Sequence, residues 1–151
     1  MTYTELLMEA DQNFLITKDK PLRANDGRIK GNRIAIRKDM STIQKKCVLA
    51  EELGHFHTTS GNILDQSSMA NRKQERTARL WAYNRLIGLT GIIDCYKSGC
   101  KTPYEMADYL DVTESFLSDA LTCYKQKYGI CVTVDNYVIF FEPSLSILEI
   151  K

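Results

Sequence analysis

The sequence predicts an α+β protein in which helices dominate. Three observations support this class: long segments repeat apolar residues at the 3.6-residue period of a helix, short alternating segments lie towards both ends, and capping residues precede the helical segments. A chain of 151 residues with 44% hydrophobic content is long enough for one domain with its own core. We therefore predict a single domain over residues 1–151, with a core at 1–90 and a C-terminal helical lobe plus hairpin at 91–151.

The N-terminal part is predicted to contain three helices and a hairpin. Apolar side chains recur at helical spacing over residues 4–16. The segment "GRIKGNRIAIR" at 27–37 predicts a hairpin, since its central Gly-Asn pair can form a two-residue turn. A capping box, "STIQ" at 41–44, starts a helix that is expected to end near 58–62. After a polar loop through residue 71, residues 72–87 predict another strong helix.

The C-terminal part is predicted to be helical and to finish in a hairpin. A short helix is expected at 92–98, followed by one that Thr102 and a proline open. A longer helix is expected to begin after Thr113 and to stop at Gly129. The final segment "ICVTVDNYVIFFEP" alternates apolar residues around Asp-Asn, which predicts two strands.

The charges are unevenly distributed along the chain. Residues 18–46 hold ten lysines and arginines against three aspartates, whereas residues 102–151 hold eight acids against three lysines. This asymmetry indicates either a polar partner surface or electrostatic complementarity within the molecule. No apolar run approaches the roughly 20 residues of a membrane span, and the N-terminus lacks the pattern of a secretory signal, so we expect a cytoplasmic protein. Five cysteines without a CxxC pair predict neither a disulfide framework nor a four-cysteine zinc site, and we expect mostly buried thiols.

The segment "CVLAEELGHFHTT" at 47–59 carries the clearest chemical pattern. Residues four apart share a helix face, so Glu51 and His55 can bind one ion, while Glu52 lies about 100° further round the helix. This is the geometry of HExxH, in which the first and fifth residues bind zinc and the second activates water. Here Glu stands first, and a carboxylate is an acceptable zinc ligand that also admits other divalent ions.

The following helix offers a third ligand. Glu75 is the only charge on a helix face that continues through Ala78, Ala82 and Leu86, so we predict that it is buried and needs a partner. If the two helices pack together, Glu51, His55 and Glu75 form a three-ligand site with a fourth position for water. The alternative without a metal is that Glu51 and Glu52 form a solvated acidic patch before the end of a helix.

These segments resemble a known family. "LAEELGHFHTT", "ERTARLWA" and "EMADYLDVTESFLSDAL" look like the ImmA/IrrE-type zinc metallopeptidases over roughly residues 25–120. The resemblance implies a zincin-like fold and a cytoplasmic anti-repressor protease of a prophage or mobile element, which relieves repression by cleaving a helix-turn-helix repressor. It also implies that Glu52 is the general base, that His55 and Glu75 are zinc ligands, and that Glu51 occupies the place of the first histidine.

Two other functions remain open. A catalytically inactive relative would bind and sequester a repressor without cutting it, and the missing histidine favours that alternative. A DNA-binding regulator ranks last, because the helix-turn-helix-like segment at 105–121 presents acids where a DNA reader carries bases and amides. We therefore expect a protein partner and no direct DNA binding.

Three further residues or segments have a predicted place. His57 is expected at the surface or behind the metal ligands, and Trp81 in the core. The strand at 33–37 is expected to offer an edge for β-augmentation by substrate.

Overall fold

The computed structural model describes residues 1–59 and 68–151, with the side chains of 68–70 left aside. Within these ranges the chain forms six helices and six strands, so the predicted helix-rich α+β class is confirmed. The chain forms two compact units, Met1–Arg85 and Leu86–Lys151. None of the described helices is both long and apolar enough to cross a bilayer.

The first unit contains a helix, a three-stranded sheet and two long helices. Its elements are α1 (Tyr3–Gln12), β1 (Ile16–Lys20), β2 (Gly27–Lys30), β3 (Arg33–Arg37), α2 (Thr42–Thr58) and α3 (Ser68–Leu86), whose last residue begins the second unit.

The first helix is shorter than predicted. It ends at Gln12 and is followed by a strand from Ile16, so the prediction of a helix through residue 16 is wrong at its end. Phe14 has a φ of 61°, a left-handed conformation that stops a right-handed helix. The strand that follows obtains its hydrogen bonds from β3, a distant partner that local periodicity does not reveal.

The sheet has the order β1-β3-β2, with β1 parallel and β2 antiparallel to β3. The predicted hairpin is confirmed: Lys30 pairs with Arg33 across the two-residue turn, and Gly31 supplies the positive φ of 60° that this turn requires. Since β3 is the central strand, the prediction that it offers an edge to substrate is wrong. The edges belong to β1 and β2.

The two long helices begin close to the predicted positions. Ser41 accepts a hydrogen bond from the Gln44 amide and the Gln44 side chain accepts one from Ser41, so the capping box is confirmed. The helix α2 ends at Thr58, and residues 60–62 of its predicted end lie outside the described residues. The helix α3 begins at residue 68, four residues before the predicted start, because the segment 68–71 contains no glycine or proline to prevent it.

The second unit consists of three helices and an antiparallel sheet. Its elements are α4 (Gly88–Lys97), α5 (Pro103–Leu110), α6 (Glu114–Tyr128), β4 (Cys131–Val134), β5 (Tyr137–Phe140) and β6 (Ser146–Glu149). The predicted caps at Thr102 and Thr113 both accept backbone hydrogen bonds, and α6 stops at Gly129. The sheet order is β4-β5-β6. The predicted hairpin is therefore confirmed, and β6 is an additional strand that the alternation of the tail did not reveal.

None of the five cysteines forms a disulfide in the described residues. Only two of them, Cys47 and Cys95, are buried, so the prediction of mostly buried thiols is wrong.

Candidate metal centre

The helix α2 carries three of the predicted site residues over the inner face of the first sheet. It packs against β2, β3 and α1. Leu49 and Leu53 are completely buried in this contact, and so is Ile36 of β3. Glu51, Glu52 and His55 lie beside the buried residues and are half-buried. The sheet therefore fixes the helix, and the helix holds the polar side chains at the border of the core.

Apolar residues at helical spacing are buried in the later turns of α2. Cys47, Ala50 and Gly54 are buried, but Ile43 is 38% exposed. Ile43 lies in the first turn, before the helix reaches the core, so its position in the pattern does not bury it.

A close approach between two helices joins α2 to α3. A Cβ atom built on Gly54 would overlap the carbonyl oxygen of Ala78 and would lie 3.0 Å from its carbonyl carbon. Ala78 and Ala82, on the facing side of α3, are fully buried. Only glycine leaves space for this contact. The contact sets the spacing of the side chains on either side of it.

The contact brings His55 and Glu75 together. The Nε2 atom of His55 lies 3.1 Å from Oε2 of Glu75, and the two side chains are 27% and 41% exposed. The other carboxylate oxygen of Glu75 accepts a hydrogen bond of 3.1 Å from Nε of Arg79, one turn further along α3. The pairing of a histidine on one helix with an acid on the next is therefore as predicted. Arg79 was not predicted, although its i,i+4 spacing from Glu75 signals the ion pair.

Glu75 is less buried than predicted. Ala78, Ala82 and Leu86 form the buried stripe that the sequence indicated. Glu75 lies one turn before the closest approach of the helices, where the side chain remains open to solvent. The prediction of a buried acid is wrong, and the predicted partner is nevertheless present.

Glu52 faces the edge strand β2. A Cβ atom built on Gly27 would lie 3.1 Å from Oε1 of Glu52 and 3.2 Å from its Cγ, so the strand backbone closes over this carboxyl group. Burial, followed by the charges of Glu51 and Glu75, raises the pKa of Glu52 to about 7. A carboxyl group with a pKa near neutrality can both accept and return a proton at physiological pH.

His55 and Glu75 are spaced to fit a divalent ion. Ligand bonds of about 2.1 Å in a tetrahedral site place two donor atoms about 3.4 Å apart, close to the 3.1 Å between His55 and Glu75. In the described part of the chain, however, no group of three or more His, Cys, Asp or Glu side chains is arranged as a metal site. Two of the predicted ligands are thus in contact, and the role of Glu51 as the third stays a prediction.

His57 does not lie with these ligands. Its ring is exposed and stacks on Trp81 of α3, with ring centroids 4.7 Å apart and planes inclined by 24°. Trp81 is only half-buried, and its predicted place in the core is therefore wrong. One face of its ring packs against His57 and not against the interior. The contact of His57 with Trp81 is a second one between α2 and α3, and on both helices it lies C-terminal to the pair of His55 and Glu75.

Comparison with protein families identifies the chain. The family model of the IrrE N-terminal-like domain, peptidase family M78, matches residues 11–122. The chain belongs to this family. The matched residues of this M78 peptidase include the first sheet and all four predicted site residues, and they end within α6. Membership supports a metallopeptidase and implies a divalent metal ion. No curated protein matches the chain.

Proposed function

We propose that this M78 peptidase is a zinc-dependent endopeptidase that cleaves a helix-turn-helix repressor and so relieves repression in a prophage or mobile element. One observation carries the metal site, namely the contact between His55 and Glu75 across the α2–α3 crossing. The nature of the substrate rests on the family resemblance described above.

His55 and Glu75 would hold the ion, and Glu51 would complete the set from the preceding turn of α2. The bound ion would supply Lewis-acid polarisation of the attacking water and of the scissile carbonyl. Glu52 would accept the proton of that water and then deliver it to the leaving amine. Burial favours the protonated form of Glu52, which delivers the proton, whereas a bound cation would favour the carboxylate, which accepts it.

The edge strand β2 is the surface that would receive the substrate. Its Gly27 lies against Glu52, and in the described residues β2 pairs with β3 alone. An extended peptide that added to this edge would pass directly beside the proposed general base. This assignment replaces the central strand β3 that the sequence favoured.

A second candidate function is repressor capture without cleavage. It is favoured by the lack, among described residues, of an assembled three-ligand site. The acid at position 51 also favours capture, because a carboxylate makes the site less selective for zinc than a histidine would.

Two measurements separate the candidates. The first is the metal content of protein purified without chelator or affinity-tag metal, beside a Glu75→Ala control. Near-stoichiometric zinc that disappears in the control supports the site, while a folded wild-type protein that takes up no added zinc contradicts it.

The second measurement is cleavage of the purified repressor, followed by mass spectrometry, with wild-type protein and Glu52→Gln. Cleavage by the wild type alone supports hydrolysis. If Glu52→Gln still relieves repression, the hydrolytic mechanism is wrong and capture is favoured.

A further inference from the structure

The outer face of the first sheet, opposite α2, is strongly basic. Five exposed cationic side chains form this surface, which we call the basic face: Lys18, Lys20, Arg28, Lys30 and Arg33. The strand register places them side by side, since Lys18 and Arg28 flank Ala35 of β3 and Lys30 is the direct partner of Arg33. Two of the cations therefore lie on each edge strand, and Arg33 lies on the central strand between them.

Within residues 1–59 and 68–151, none of the five side chains of the basic face forms an ion pair with a carboxylate. The neighbouring aspartates are engaged elsewhere: Asp19 binds Lys45 at 2.9 Å, and Asp26 and Asp39 both bind Arg37. The five cations therefore give the face a positive potential that attracts anionic partners.

The basic face is also a shallow groove. Its volume is about 390 Å³, and it is lined by the five cationic side chains together with Ile16, Ile34 and Ala35. The small side chain of Ala35 leaves the centre of the face low, between longer residues on both sides. An extended anionic backbone fits such a groove better than a compact anion, because cations two residues apart on a strand repeat at about 6.6 Å.

We propose that the basic face binds the phosphate backbone of duplex DNA without regard to sequence. Three of its five cations are lysines, which are depleted at protein–protein interfaces and common at phosphates. The lining contains no aromatic ring on which the bases of a single strand could stack. All the polar side chains of its lining are cations, which most often bind phosphate oxygens, so we assign the contact to the backbone.

The choice of DNA as the nucleic acid rests on the proposed function. A helix-turn-helix repressor occupies DNA, and a protease that holds the neighbouring phosphates would be concentrated beside its substrate. The expectation from the sequence that this chain does not bind DNA rested on the acidic helix-turn-helix-like segment at 105–121. Backbone contacts made by a sheet face do not involve that segment.

The test is fluorescence anisotropy of a labelled short duplex of random sequence, titrated with the full chain at several salt concentrations in the presence of chelator. If all five cations contact phosphates, log K should fall against log salt with a slope of about −4.5. The double variant Lys18→Gln/Lys30→Gln should bind more weakly, with a slope less steep by about 2. The matched control Lys101→Gln/Lys127→Gln changes the net charge equally on exposed residues of the second unit and should bind as the wild type does.

Several results would overturn the proposal. The first is that folded wild-type protein does not bind the duplex at 50 mM salt, where phosphate contacts are strong. The second is an equal loss of DNA affinity in both double variants. The third is preferential displacement of the DNA by duplex RNA or by polyglutamate. The variant Glu52→Gln should bind DNA normally. Failure of DNA binding with intact repressor cleavage would refute only this inference, whereas normal DNA binding without cleavage would refute only the proposed hydrolysis.

Discussion

Gly54 of α2 touches the backbone of Ala78 in α3, and this contact places His55 within 3.1 Å of Glu75. Neither ligand candidate lies in the contact itself. The spacing of the polar pair is therefore set by a residue that has no side chain.

Substitution Gly54→Ala tests that dependence. Alanine normally stabilises a helix interior by roughly 1 kcal/mol relative to glycine, but here the added methyl group overlaps the Ala78 carbonyl. We expect a net destabilisation of about 1–3 kcal/mol and weaker metal binding, measured by urea unfolding and zinc titration. Gly91→Ala is the matched control, because its Cβ would meet the end of the Leu110 side chain at 3.3 Å instead of backbone. A Gly54→Ala protein as stable as the wild type would show that the helices are not held by this contact.

Substitution of Arg79 tests whether it orients Glu75 in the proposed metal site. It holds one oxygen of Glu75 and so orients the other towards His55. We expect Arg79→Gln to lower zinc affinity about 10–100-fold, as loss of a residue that orients a ligand does, measured by competition with a chromophoric chelator. Arg76→Gln, an exposed change on the same helix, should leave the affinity unaltered. Tighter binding by Arg79→Gln would instead mean that its positive charge mainly repels the ion.

Glu52 predicts a pH dependence of stability in chelator-treated protein. Burial, followed by the charges of Glu51 and Glu75, raises its pKa from 4.5 to about 7 on folding, so the charged form is disfavoured in the native state. The resulting stability is fully present below pH 4.5 and is lost as the pH rises through 7. Relative to Glu52→Gln, the wild type should therefore lose on the order of 3 kcal/mol between these limits. Urea unfolding at a series of pH values measures the difference, and a difference that does not change with pH would contradict the assignment.

The two histidines should respond differently to substitution. His57 stacks on Trp81, so His57→Ala should reduce the free energy of unfolding by about 1 kcal/mol and leave zinc binding unchanged. His57→Phe keeps a stacking ring and should retain most of the stability. His55→Ala should abolish zinc binding. Loss of zinc in His57→Ala would show that His57 is a ligand after all.

The sequence predicted best those features whose causes lie close together in the chain. The turn at Gly31 and the capping box at Ser41 are local signals, and both occur where expected. The strand β1 was missed because its partner β3 lies more than ten residues away and its polar residues resemble a loop. The strand β6 was missed because its pairing with β5 depends on an intervening loop.

The same division applies to the candidate site. His55 and Glu75 could be paired from the sequence because each lies at a fixed place in a helical period, and both periods converge on Gly54 and Ala78. Exposure could not be predicted in this way. Glu75 and Trp81 share the apolar pattern of α3, but their burial depends on what lies opposite, and that is decided by the crossing of the helices.

The alternation of side chains along β1, β2 and β3 separates two kinds of evolutionary change. On β3, Ile34 and Ile36 support α2, whereas Ala35 between them faces away from it. Replacing an outward lysine or arginine leaves the hydrophobic support untouched. New partners can thus be acquired on one side of a single layer of backbone while the chemistry on the other side is inherited unchanged.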